Sequence, residues 1–324
     1  MNTVYKIIFG LATFVVLVAI ILLFAEAQPA VAPTNNSVAT VGTVPNVSPT
    51  RPVPPPQTES PLLKHDVYIT FSADPASFPV GTLVTKSGSV PDVLVCTVTT
   101  TTCNVGDLLI YFVDPLAKQP SAGVSMIKST DGGKTWSARQ TITLANKQNQ
   151  GPVVDPSVMQ LSDGRIRLYF FAPDGPLTGG PADTTLHNVD SAVSNDGIAF
   201  TVESGVRFSA QHLTDPEVIT NGKEWFMYYS IGIQSGVATS TDGLSFTEQG
   251  TLPSTIGGVP GAIVLKDGSI RAYGCTPTGI ASGTSTDGLT FSSVVTALSA
   301  KQICDPSVQP LGDQYVMVYK LVNP

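Results

Sequence analysis

Ser194-Asn195-Asp196-Gly197-Ile198-Ala199-Phe200 (SNDGIAF), Ser240–Phe246 (STDGLSF) and Ser285–Phe291 (STDGLTF) are one short phrase written three times. Ser129–Trp136 (STDGGKTW) is a fourth copy with a tryptophan for the phenylalanine. Each copy lies between two short β-rich runs, so each reads as a hairpin turn. Gly supplies the positive φ there, and the Ser and Asp side chains bond amides of the same turn. A period of this kind is the mark of a repeat architecture.

Two further units recur in step with the first. One is a strand opened by a residue and a proline, at Val90-Pro91-Asp92, Asp155-Pro156-Ser157, Asp215-Pro216-Glu217, Val259-Pro260-Gly261 and Asp305-Pro306-Ser307. The other is the strand that follows, which carries Tyr111, Tyr169, Tyr228, Tyr273 and Tyr319. Five openings and five tyrosines face only four turns. The missing turn is Ser72-Ala73-Asp74, followed by Phe78, near the start of the repeats, while the chain ends after the second strand of its last unit. The N-terminal strands therefore complete the last blade. The predicted fold is an all-β, five-bladed β-propeller over residues 65–324, a ring without open edges.

Residues 1–27 include the uncharged run 7–24 (IIFGLATFVVLVAIILLF) behind Lys6. That run suits a membrane anchor or a secretory signal, with Ala25-Glu26-Ala27 as a cleavage pattern; either predicts export. Residues 28–64 are rich in Pro, Ser and Thr and read as an extended, disordered stalk. Net charge is −7 without a basic cluster, which excludes nucleic acid as an expected partner. The four cysteines fit an exported protein. Cys96 and Cys103 lie in an insertion that lengthens the first blade's hairpin, and Cys275 and Cys304 fall at adjacent strand ends. Both pairs are expected as disulfides.

The Ser-x-Asp-Gly-x-Thr-Trp phrase resembles the Asp-box of sialidases. The Asp-Pro-Ser-Val openings, with Asp163–Phe170 (DGRIRLYF), resemble five-bladed glycoside hydrolases of the arabinanase and fructan-hydrolase type. The turn acids Asp74, Asp131, Asp196, Asp242 and Asp287 are expected to be structural. Asp155, Asp215 and Asp305 occupy one repeat position, so the pseudo-symmetry brings them to one mouth of the channel. Asp92 and Glu217, two residues beyond an opening, should turn to the same side. Converging carboxylates raise one another's pKa, which suits acid–base work.

In the hydrolases resembled, a first-blade Asp is the base, a second-blade Asp tunes pKa and a third-blade Glu is the acid. By position Asp155 matches the tuning Asp, and Asp215 or Glu217 the acid. The first blade has Val90 at the base position, with Asp92 nearby. A sialidase mechanism would need an arginine trio at the openings, and none is present; Arg167 and Arg271 lie on second strands. The Gly/Pro-rich segment 172–188, with Asp183, His187 and Asp190 in or beside it, is a candidate lid, and His212 a further ligand contact. The sequence specifies no metal ligands and no cofactor, leaving a channel cation open. Carbohydrate is the expected partner, together with a membrane through residues 7–24. Three functions remain: a glycosidase, a non-catalytic carbohydrate-binding or adhesion module, and a structural surface protein.

Overall fold

The computed structural model describes residues 60–117, 123–147, 153–171 and 186–324. The hydrophobic run, nearly all of the stalk, Asp183 and most of the candidate lid lie outside them. Among the described residues no helix is long and apolar enough to cross a membrane.

The described chain makes β1 (His65–Ser72), β2 (Thr82–Thr85), β3 (Ser89–Val95), β4 (Leu108–Val113), β5 (Val124–Ser129), β6 (Gln140–Thr141) and β7 (Thr143–Ala145). It continues with β8 (Val154–Gln160), β9 (Ile166–Phe171), β10 (Leu186–Ser194), β11 (Ala199–Val202), β12 (Phe208–Gln211), β13 (Leu213–Thr220) and β14 (Trp225–Ile231). The rest are β15 (Gln234–Ser240), β16 (Thr247–Thr251), β17 (Gly258–Val264), β18 (Ile270–Thr276), β19 (Gly279–Ser285), β20 (Ser292–Ser299), β21 (Ile303–Leu311) and β22 (Gln314–Val322). They form five antiparallel blades, beginning from the axis at β3, β8, β13, β17 and β21. The fifth blade runs β21-β22-β1-β2, so the N-terminal strands close the ring as the missing turn requires. His65 pairs with Val322 and Ser72 with Tyr315 across that junction.

The second strand of each blade is packed on both faces by neighbouring blades. That is why β4 (LLIYFV) and β9 (IRLYFF) are buried at every position despite a period of two. The apolar interior is correspondingly divided into clusters, each shared by two adjacent blades. Within these seams the tyrosines form a repeated latch. Tyr111 donates its hydroxyl to Gly197 O (2.9 Å), Tyr169 to Gly243 O (2.8 Å) and Tyr228 to Gly288 O (2.9 Å). Tyr273 donates to Pro75 O at 2.7 Å. In each case the acceptor belongs to the Ser-x-Asp turn of the next blade, and that turn's Phe sits edge-on to the tyrosine ring. At the fifth seam Tyr319 turns back into its own blade and accepts the Gly81 N–H.

The turn acids behave as turn chemistry dictates. Asp196 Oδ1 accepts from Ser194 Oγ and from the Ile198 and Ala199 amides, and Asp242 and Asp287 repeat the pattern. These bonds hold the carboxyls below the usual carboxylate range. Because the Tyr228 latch joins a buried hydroxyl to a buried carbonyl, Tyr228→Phe should leave the carbonyl unsatisfied. The expected cost is about 1–3 kcal/mol in chemical denaturation, and a variant as stable as wild type would show that packing alone holds the seams.

One departure from a four-stranded blade concerns the second. β10 is longer than its partner β11, so β12 covers its free half, and β7 leaves the first blade to pair parallel to β11. Both expected disulfides form, with Cα separations of 6.3 Å (Cys96–Cys103) and 5.2 Å (Cys275–Cys304). The Cys96–Cys103 loop is clamped onto the second blade by Gln160, which accepts the Thr97 and Val98 amides and donates to Val98 O.

Candidate functional site at the channel mouth

The residues before the five opening prolines all have positive φ: Val90 (45°), Asp155 (53°), Asp215 (48°), Val259 (52°) and Asp305 (54°). Each blade's ladder slips at the same place, for example between Val154 and Ser157 and between Thr214 and Glu217. Proline has no N–H to give the ladder, so the dipeptide bulges out of it. A left-handed conformation costs an L-residue roughly 1–2 kcal/mol, and here it recurs five times around one axis. The openings together line a small axial cavity. About 20 Å³ of it is open to the centre of a water molecule, room for one or two waters.

The bulge redirects the residues that follow it. Asp92, Ser157, Glu217, Gly261 and Ser307 form a girdle between blades just inside the mouth. Asp92 Oδ2 accepts the Val158 N–H (2.5 Å), Ser157 Oγ the Val218 N–H (2.9 Å) and Glu217 Oε1 the Ala262 N–H (3.4 Å). Ser307 Oγ accepts the Val93 N–H (3.0 Å) and its hydroxyl bonds Asp92 Oδ1, closing the circle. At the fourth position Gly261 has no side chain, and the Pro306 carbonyl fills the space. Asp92 and Glu217 thus border the cavity but are only 4% and 6% exposed, each bonded to the next blade. Burial pushes Asp92 up to about 7, against its hydrogen bonds. Burial, then the Asp92 charge, pushes Glu217 well above the usual range.

The opening acids form a second tier. Asp155 Oδ2 accepts the Asp215 N–H at 3.2 Å, and Thr214 donates its hydroxyl to Asp215 Oδ2 at 2.7 Å. Burial and the neighbouring Asp215 charge push Asp155 well above the carboxylate range. Burial and Asp305 raise Asp215 to about 6. Asp305 is tied to Lys320, Nζ to Oδ2 2.7 Å, and that partner keeps the lysine charged despite its burial. Burial, followed by Lys320, lowers the pKa of His65, whose Nδ1 bonds Ser89 Oγ at 2.8 Å.

Lys320 and His65 are the members that the sequence reading missed. The residue after the repeated tyrosine is Phe112, Phe170, Tyr229 and Gly274 in the other blades, so a lysine there was the available signal. The candidate ligand histidines do not line the axial cavity. His187 bonds Leu213 O through Nδ1 (2.9 Å) and packs on Phe171, while His212 has a positive φ of 57° in the approach to β13. Arg167 pairs with Glu203 inside the second blade, Nε to Oε2 2.9 Å, away from the openings. The disulfide Cys275–Cys304 adjoins the mouth, since the Asp305 N–H points at Cys275 Sγ (3.2 Å).

The sequence matches no protein-family model and no curated protein. Solved structures similar in fold include a family 117 glycoside hydrolase, Zg3597, from Zobellia galactanivorans. The TM-score is 0.49 at 15% identity, covering 80% of this chain and 90% of that one. A Penicillium chrysogenum α-L-arabinanase complexed with arabinobiose gives 0.47 at 16% identity, over 78% of each chain. A GH43_1 enzyme from Xanthomonas citri gives 0.48 at 14% identity, over 72% of this chain and 81% of that one. The five-bladed assignment itself rests on the strand pairing.

Proposed function

We propose that the propeller engages carbohydrate at the channel mouth and that Asp155 and Asp215 carry the proton transfers of glycoside hydrolysis. The observation that supports this is the Asp215 N–H donating to Asp155 Oδ2, with one carboxyl pushed well up and the other to about 6. Near neutral pH Asp215, at about 6, is largely ionised, while Asp155 is pushed toward its protonated form, the direction that suits a base and an acid in such a reaction. Asp305, paired with Lys320, supplies fixed charge and orientation. The resemblance of the Asp-Pro openings to arabinanase-type hydrolases gives the same class of substrate. Residues 7–24 and 28–64 would serve as anchor or export signal and as stalk, displaying residues 65–324 outside the cell; the two disulfides favour that compartment.

A second reading, carbohydrate binding without cleavage, draws on Val90 at the first-blade opening and on Asp92 being held by Val158 and Ser307. A panel of arabinan, fructan and other glycans assayed with wild type, Asp155→Asn and Asp215→Asn separates the two. Hydrolysis should fall by roughly 10²–10⁴-fold in either amide. Binding without any cleavage by wild type would establish the second reading. Cleavage unchanged by both amides would remove the site from consideration.

A further inference from the structure

A second site is visible when the blades are compared as copies of one another. Arg167 in the second blade and Arg271 in the fourth occupy the same repeat position, two residues before the latch tyrosine. In the second blade the guanidinium meets Glu203, Nε to Oε2 2.9 Å and Nη2 to Oε1 3.0 Å, and Ser191 donates to the same carboxylate at 2.7 Å. The Glu203 N–H in turn bonds Ser191 O, setting the acid opposite that serine. In the fourth blade Ser282 stands at the Ser191 position and receives Arg271 Nη1 at 2.9 Å. Opposite Ser282, however, the register places Val295, and β20 (SSVVTALS) carries no acid at all.

Among the described residues Arg271 has no carboxylate within ion-pair distance and bonds the Ser282 hydroxyl, whereas Arg167 at the same repeat position holds Glu203. Beside it opens a cleft of about 710 Å³, whose lining includes Asp267, Ser269, Thr284, Thr286, Asp287 and Thr290. A guanidinium whose planar face of donors is left incomplete is the group that binds a carboxylate in bidentate fashion. We infer that this cleft binds a carboxylate borne on a polyhydroxylated ligand, a uronic-acid-type sugar, with the Arg271 guanidinium pairing with the carboxylate from the cleft side. The serine and threonines of the lining suit the ligand's own hydroxyls. Asp267 and Asp287 each bond groups of their own turn. Asp267 accepts the Ser269 amide and hydroxyl, and Asp287 the Ser285 hydroxyl and the Leu289 and Thr290 amides.

The site lies away from the channel mouth and does not depend on the function proposed there. Titration of the full chain with sodium glucuronate, and with glucose as the uncharged control, tests it by calorimetry. Arg271→Met should weaken glucuronate binding by tenfold or more, and glucose should bind far more weakly than glucuronate to wild type. Val295→Glu retains Arg271 but supplies the missing acid at a position 44% exposed, so it should fold, occupy the guanidinium and also abolish binding. Asp155→Asn at the mouth should leave the titration unchanged. No glucuronate binding by wild type, equal binding of glucose, or unaltered binding in Val295→Glu would each overturn the inference.

Discussion

Lowering the pH from about 8 to about 5 is expected to raise the melting temperature of the propeller by roughly 5–10 °C. Four carboxyls at the axis, Asp92 and Glu217 buried and Asp155 and Asp215 half-buried, have folded-state pKa values above their ordinary range: Asp92 at about 7, Asp215 at about 6, and Asp155 and Glu217 well raised. Burial is the first cause in every case. Between the unfolded value near 4 and the folded value, the native state keeps a proton that the unfolded chain has lost. The resulting stability is fully present below about pH 4 and is lost as the pH rises through 6 and 7. One unit is worth about 1.4 kcal/mol, so the Asp92 shift alone has a ceiling of about 4 kcal/mol.

Below about pH 4 the trend should reverse. The turn acids Asp196, Asp242 and Asp287 are held low by their hydrogen bonds, and their contribution disappears as the pH falls through the folded values. Thermal melts followed by circular dichroism from pH 3 to pH 9 should therefore peak on the acid side. Asp92→Asn can still accept the Val158 N–H and donate to Ser307, so it should raise the melting temperature at pH 8 and flatten the slope. A profile that is level, or that climbs toward pH 8, would show that the girdle acids ionise without cost.

The second large effect is steric. A methyl group at Gly261 would lie 1.9 Å from the Pro306 carbonyl oxygen and 3.0 Å from its carbon, and backbone of the next blade cannot yield cheaply. Gly261→Ala should force the fourth and fifth blades apart at the axis, where the ring has no slack. The expected outcome is a loss above about 4 kcal/mol, or no soluble protein. Gly222→Ala provides the contrast. Its φ is 84° but nothing lies within 4 Å of the added methyl, so only left-handed strain of roughly 1–2 kcal/mol applies. Urea midpoints for the two variants test the difference. A Gly261→Ala protein within about 1 kcal/mol of wild type would mean that the girdle is not a structural constraint.

The local features of this propeller were legible because their physics is local. A Ser-x-Asp-Gly turn bonds its own amides, so the phrase specifies its conformation wherever it stands, and five tyrosines after five proline openings count the blades. The seven-residue insertion holding Cys96 and Cys103 likewise announces a hairpin and its staple. Alternation by twos placed Asp92 and Glu217 with the opening acids, and all five line the axial cavity. What escaped was how they are held: after the positive φ at Val90 and Asp215, each carboxyl also accepts an amide of the next blade. The added strands β7 and β12 were also hidden, since their pairing depends on how much of β10 its own hairpin leaves uncovered.

The five repeats, the closure of the last blade by the first strands, the turn acids and both disulfides could be read from the chain alone. Which acids meet at the mouth depends on how the blades pack. Asp155 and Asp215 lie sixty residues apart, and their contact arises from the angle at which one blade follows another. Lys320, a single unusual residue after a repeated tyrosine, becomes the partner of Asp305 through the bulged pairing of β21 with β22. Turn and strand signals act over a few residues, where backbone geometry is fixed by covalent structure. The mouth is assembled by packing across seams, and burial there sets the charge of each carboxyl in a way no short stretch encodes.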